Sequence, residues 1–240
     1  AKLVTMKSED GKINTNDLSK NIRGTGNVHL SQPAAVSITQ ACETGTVYQL
    51  EEIQSIAETA HEHGLKVHMD GARFANAIVS LNVSPAEMTW KSGIDVLSFG
   101  GTKNGCLTAE AVVFFKPELV GNFPYLHKRS GQLLSKMRFV SAQLEAYVSN
   151  DVWLRNARNA NAMAKLLSEG LANFPDIKLA YPTQSNEVFV HLPSSIIDLL
   201  NAEGYNVSED ELDGKSVRFV TAWNTVSDDI EKLLSIINTK

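Results

Sequence analysis

Two short stretches of the sequence carry residues whose types and spacing suit chemistry. In SFGGTKNG, Ser98 to Gly105, Lys103 stands among glycines just after an apolar run. In HMDGARFANA, Asp70 closes a second apolar run, Gly71 turns the chain and Arg73 follows. Both runs read as consecutive strands of an alternating strand and helix series, so Asp70 and Lys103 face one crevice at the carboxyl ends of the strands, where open α/β sheets bind ligands. An acid and a lysine in that position suit pyridoxal 5'-phosphate: the lysine holds the aldehyde as a Schiff base, and the acid keeps the ring nitrogen protonated so that the ring withdraws electrons from a bond at the substrate Cα. Burial and nearby positive charge help such a lysine act as a neutral amine. The alternative, on residue types alone, is a turn aspartate and a loop lysine.

Competing motifs fail on spacing. A nucleotide-binding phosphate loop ends in Gly-Lys-Ser/Thr, whereas Lys103 follows Thr102 and precedes Asn104. The His61-Glu62-His63 cluster lacks the second histidine four positions after the first, where Leu65 stands, and reads as a solvated helix end with no metal. Arg218 lies inside the apolar run SVRFVTAW, where an unpaired guanidinium is costly to bury; a substrate carboxylate or a structural acid supplies its partner.

The elements that must position these residues follow from periodicity. From Pro33 the chain reads strand (AAVSIT), helix (Leu50 to His63), strand (KVHMD), helix after Ala72, and strand (IDVLSF), the rhythm of a mostly parallel α/β sheet. Leu50, Ile53, Ile56, Ala57 and Ala60 form one face of the first helix, and Gly64 is placed to end it. Ser84, Pro85 and Glu87 spell a capping box for a short helix. IDVLSF reads as a central strand buried on both faces, and AEAVVFF, closed by Pro117, as the last strand of the sheet. Leu3, Val4 and Met6 suggest a further strand at the start of the chain.

Two long helices are expected between Gln132 and Phe174, broken near Ser149-Asn150-Asp151. Beyond Pro175, short strands and helices mark a smaller α+β unit whose final helix is capped by Thr225 and Asp228 and buries Ile230, Leu233, Leu234 and Ile237. The predicted division is a large cofactor-binding domain over 1–131, connecting helices over 132–174 and a small domain over 175–240.

With a net charge of −5 and without basic runs, the sequence argues against a nucleic-acid or anionic-membrane surface. Cys42 and Cys106 are the only cysteines, which excludes a disulfide framework and a paired-cysteine zinc site and suits a cytoplasmic setting. The opening AKLVTMKSEDGK lacks the order of a secretory signal.

HMDGARFANAI and SFGGTKNGCLTAEAVVFF resemble the threonine aldolase family of fold-type I pyridoxal phosphate enzymes. SITQACETGTVYQLEEI, HKRSGQLLSKMRFVSAQ and VRFVTAWNT look like further segments of that family in the right order, so the resemblance covers most of the chain. It implies a fold-type I large domain with a smaller C-terminal α+β domain, and cleavage of L-threonine or related β-hydroxy-α-amino acids to glycine and an aldehyde. By resemblance, Lys103 is the Schiff-base lysine, Asp70 the partner of the ring nitrogen, Arg73 a neighbour of the cofactor or substrate, and Thr102 a donor to the phosphate. Gln40 would contact the ring or its hydroxyl, Lys128 and Arg138 would lie near the active site or the phosphate, in some relatives across a subunit boundary, Arg218 would hold the substrate carboxylate, and His29 or a water it positions would be the base at the substrate hydroxyl. The family's N-terminal phosphate loop and ring-stacking residue have no match, so the sequence reads as lacking an N-terminal portion. A homodimer or homotetramer is the implied assembly. Another fold-type I lyase performing β-elimination, and a non-catalytic fragment that retains the fold, stay open as alternatives.

Overall fold

The computed structural model describes residues 2–8, 10–210 and 213–239. Asn14 caps the first helix, α1 (Thr15–Asn21), by accepting from the Asp17 amide at 2.9 Å. The expected strand at Leu3 to Met6 is absent: that stretch is irregular, with Leu3 and Val4 exposed and no strand beside it among the described residues.

The next elements follow the alternating pattern: β1 (Ala35–Thr39), α2 (Leu50–Glu62), β2 (Lys66–Gly71), α3 (Phe74–Leu81), α4 (Pro85–Met88), β3 (Val96–Gly100) and β4 (Glu110–Phe114). They build a sheet of order β1-β2-β3-β4, parallel across the first three strands and antiparallel at β4. The expected capping box closes α4, with the Glu87 carboxylate accepting from Ser84 N at 2.8 Å. Ile53, Ile56, Ala57 and Ala60 of α2 bury against Val36, Ile38, Val67, Met69 and Leu97 of the sheet, and Gly64 leaves the helix at φ 74. The fold is therefore α/β with a mostly parallel sheet, as the sequence pattern predicts.

β3 departs from its expected burial on both faces. Val96 and Ser98 are half-buried, because the face opposite Leu97 carries a polar row. There the His68 ring lies 2.8 Å from Ser37 Oγ through Nδ1 and 2.8 Å from Ser98 Oγ through Nε2. Burial lowers the pKa of His68 and so favours the neutral ring in this row.

After α5 (Phe123–Arg129) come α6 (Arg138–Val148) and the long α7 (Val152–Leu171), separated at Asn150 and Asp151, whose left-handed φ values of 52 and 56 break the helix where the sequence suggested. Tyr147, Trp153 and Ala157 join the core of the large sheet, while Ala164, Leu167 and Leu171 of α7 belong to a second core. That core lies against an antiparallel sheet of order β5-β6-β7, formed by β5 (Lys178–Leu179), β6 (Glu187–His191) and β7 (Val217–Val220), together with α8 (Ser194–Ala202) and α9 (Ser227–Ile237). Ile230, Leu233 and Ile237 are the buried stripe of α9. Its cap sits one residue later than expected, because Asp229 accepts from Val226 N while Thr225 Oγ1 is occupied by the Ala222 amide.

Candidate active site

Asp70 sits one residue from the end of β2, paired with Thr39 of β1 and Ser98 of β3. Its carbonyl accepts from Gln40 N at 2.8 Å, and its Oδ1 accepts from Ala72 N at 2.9 Å, which fixes the carboxylate at the turn out of the strand. The two strand ends approach so closely that a Cβ on Gly100 would lie 2.8 Å from Ala72 Cα and one on Gly71 would lie 2.7 Å from Ser98 O. Glycine at these two positions is thus a packing requirement.

Lys103 occupies the single 3-10 turn Thr102–Asn104 that follows β3, and is exposed. Its ammonium makes no hydrogen bond or ion pair among the described residues, although its charge acts on Glu187. The turn is anchored on both sides. Thr102 Oγ1 accepts from Ala109 N at 3.1 Å, which leaves the hydroxyl proton free to be donated. Asn104 is buried and donates to Tyr147 Oη at 2.7 Å and to Trp153 O at 2.9 Å, while its own carbonyl accepts from Asn156 at 2.8 Å. Burial, partly offset by the bond from Asn104, pushes the Tyr147 phenol up to about 12, so it stays protonated and points that proton at Gly100 O, 3.4 Å away.

Arg73 follows Asp70 into α3, and its buried guanidinium reaches Glu187 at the start of β6, with Nη2 2.7 Å from Oε1. Arg218 of β7 approaches the same oxygen at 3.8 Å and pairs through Nε with Asp210 at 3.2 Å. The Glu187 side chain has no exposed surface, and burial pushes its carboxyl up to about 7 against the opposing pull of Arg73 and Arg218. Arg218 corrects the expectation of a buried guanidinium: it lies on the open face of β7 with 40% of its side chain exposed, and an acid already partners it.

The structure thus brings Asp70, Arg73, Thr102, Lys103 and Arg218 to the strand ends and their border with the small sheet, and leaves four expected residues out. Gln40 lies at the edge beside Asp70, but its amide is buried and spent on Tyr48, donating to the carbonyl and accepting from the amide, both at 3.0 Å; it shapes the turn and has no group left for a cofactor ring. His29 is exposed in a turn closed on itself by Gln32, whose amide donates to Gly24, Asn27 and Leu30 carbonyls, and touches none of the site residues among the described residues. Lys128 lies in the last turn of α5 as an exposed charge, and Arg138 opens α6 with its guanidinium 4.9 Å from the Phe139 ring.

Sequence reasoning missed Glu187 and Asn104, and it misread His61. The His61 ring lies 2.9 Å from the buried Asp95, which also pairs with Lys116 and accepts from Val67 N, so the histidine is a structural tie rather than a solvated helix end. No group of side chains suited to hold a metal ion occurs among the described residues.

Residues 1–194 match the family model described as beta-eliminating lyase. The chain is 40% identical over 237 residues to a low-specificity L-threonine aldolase from a Pseudomonas species, covering 99% of this chain and 68% of that one. It is 42% identical to the corresponding protein of Pseudomonas aeruginosa, covering 97% of this chain and 66% of that one. A solved threonine aldolase from Leishmania major superposes with a TM-score of 0.90 at 28% identity, over 99% of this chain and 70% of its own. The chain therefore spans about two thirds of the length of these relatives.

Proposed function

Because the chain belongs to the beta-eliminating lyase family and matches its threonine aldolases along nearly its whole length, we propose that it is a pyridoxal phosphate-dependent aldolase cleaving L-threonine and related β-hydroxy-α-amino acids to glycine and an aldehyde. The observation that carries this reading is the arrangement of an anchored acid, Asp70, and of Lys103, unpaired among the described residues, at the carboxyl ends of neighbouring parallel strands.

The residues present fit three groups of the cofactor. Asp70 supplies the carboxylate for a ring nitrogen and Lys103 the amine for an aldehyde, while Thr102 retains a hydroxyl proton for a phosphate oxygen. When bound, the cofactor supplies an electron sink for the bond broken at the substrate Cα.

The chain's own residues do the rest. Arg218 is accessible and carries a guanidinium suited to bidentate contact, so it holds the substrate carboxylate and fixes which bond at Cα is aligned for cleavage. Lys103 would be the residue that holds the cofactor aldehyde and donates a proton at Cα. Asn104 and Tyr147 hold the lysine turn against α6 and α7, and Arg73 keeps positive charge beside the crevice.

The free Cys42 and Cys106 support a cytoplasmic setting, and exposed Tyr125, Leu126, Leu133, Leu134 and Phe139 support a homo-oligomer. Division into 1–131, 132–174 and 175–240 is supported by the two cores that α7 joins. No helix among the described residues is long and apolar enough to cross a membrane. Incubating the full-length protein with cofactor and L-threonine tests the activity: glycine with acetaldehyde supports it, whereas a keto acid points to β-elimination and neither product points to a non-catalytic role.

A further inference from the structure

Glu187 is unusual among the charged groups of the described residues. Its carboxylate is fully buried, and neither oxygen meets hydrogen-bond geometry with a partner among the described residues; the 2.7 Å approach of Arg73 is an ion pair without a well-aligned bond. Arg73 Nε, also buried, is likewise without a hydrogen-bond partner among the described residues. A buried carboxylate held by charge alone is poorly satisfied, so its ionisation depends on whichever charges surround it. Those charges come from every side: Arg73 at the start of α3, Arg218 on β7, Lys103 on its turn and Glu43 on the loop after β1, with Asp210 on the far side of Arg218. The loop after β1 is packed tightly here, with a Cβ at Gly45 falling 3.2 Å from Glu187 Cβ.

Arg218 is shared. Its Nε lies 3.2 Å from Asp210 while its Nη1 stands 3.8 Å from Glu187, and it borders a cleft of about 350 Å³ lined also by Tyr205, Val207 and Phe219 and by the acidic residues Glu209 and Asp210. A small carboxylate that takes Arg218 removes one counter-charge from Glu187 and sets a second negative charge near it. Of the remaining cations, Arg73 is fixed by burial and Lys103 is the amine assigned to the cofactor.

We propose that Glu187 is a positioning residue that shares Arg73 and Arg218 across the two sheets and yields Arg218 to the carboxylate of the incoming amino acid, taking up a proton from solvent as it does so. The inference rests on the reading of Arg218 as the substrate-carboxylate residue. Glu187 then sets both the orientation of that arginine and the pH range in which it is released, since protonation of the glutamic acid stops it competing with the ligand. With the carboxyl near 7, the change falls within the neutral range.

The test uses cofactor-loaded protein and 3-hydroxybutyrate, which keeps threonine's hydroxyl and carboxylate but has no amine to react with the cofactor. Binding is followed by calorimetry in two buffers of different ionisation enthalpy, for wild type, Glu187→Gln, Glu187→Asp and Arg218→Ala. A tenfold gain in proton affinity on binding gives uptake of roughly 0.4 proton per anion at pH 7 and an affinity that weakens about fivefold from pH 6 to pH 8. Glu187→Gln should abolish both effects and Glu187→Asp should restore them. Arg218→Ala should weaken binding by roughly tenfold or more. If Arg218→Ala weakens binding while wild type takes up no proton, or while Glu187→Gln keeps the wild-type pH profile, the role of Glu187 is overturned and the reading of Arg218 stands. If Arg218→Ala binds the anion as wild type does, both fall. The wild-type proton uptake is informative even where a variant fails to fold.

Discussion

Replacing Glu187 with glutamine should change how stability depends on pH. The carboxyl rises from an ordinary value of 4.5 to about 7 because burial penalises its ionised form by more than Arg73 and Arg218 favour it. At about 1.4 kcal/mol for each tenfold change in proton affinity, that rise corresponds to about 3 kcal/mol. The sign follows from linkage. Between the two values the folded state holds a proton that the unfolded chain has lost, so the contribution is fully present below 4.5 and is lost as pH rises through 7. Between pH 5 and pH 8 the wild type should therefore lose about 2–3 kcal/mol relative to Glu187→Gln, which carries no titrating group at that position. Urea unfolding of both proteins, without cofactor, at intervals across this range measures the difference and cancels the other titrations they share. A difference that is flat with pH would show that the arginines offset the desolvation completely. A wild type that gains on the variant as pH rises would show that they outweigh it, and either result refutes the reasoning.

Asn104→Ala removes the donor to Tyr147 and Trp153 and should destabilise the protein by about 2 kcal/mol, with weaker cofactor retention because the lysine turn loses its tie; unfolding together with a cofactor titration checks both. Asp95→Asn should cost about 3 kcal/mol near neutral pH, since it breaks the buried ties to Lys116, His61 and Val67. Burial alone would raise the Asp95 pKa, but the bonds from Lys116, His61 and Val67 lower it overall. Its contribution is thus present above the ordinary carboxylate value of 3.8 and is lost as pH falls through the depressed one, so the penalty of Asp95→Asn should shrink in acid.

What the sequence revealed divides by the range of the interactions. The α2 stripe, the Ser84 capping box and the break at Asn150 are local, set by residues within a few positions of one another, and the structure contains them. Asp70 and Lys103 were legible because each follows an apolar run, and parallel strands bring their ends together without further information. Glu187 belongs to the small sheet and meets Arg73 only through tertiary packing, yet a signal existed: a glutamate leading the apolar run EVFV poses the same burial problem that drew attention to Arg218. Asp95, which precedes VLSF, posed it too. Nothing local shows that the Gln40 amide turns to Tyr48 eight residues on. His29, Lys128 and Arg138 rested on resemblance, without a physical reason to converge, and no contact among the described residues brings them to the crevice. The burial of β3 was overestimated because apolar residues on both faces signal burial only when both faces are covered.

The central claim is that Lys103 is the lysine that carries the cofactor. Loading the full-length protein with pyridoxal phosphate, reducing it with borohydride and mapping the peptides by mass spectrometry tests this directly. The account predicts a single pyridoxyl adduct on Lys103 and its loss, with the visible absorbance of the linked cofactor, in Lys103→Ala. An adduct on any other lysine, or an unchanged adduct pattern in Lys103→Ala, would contradict it.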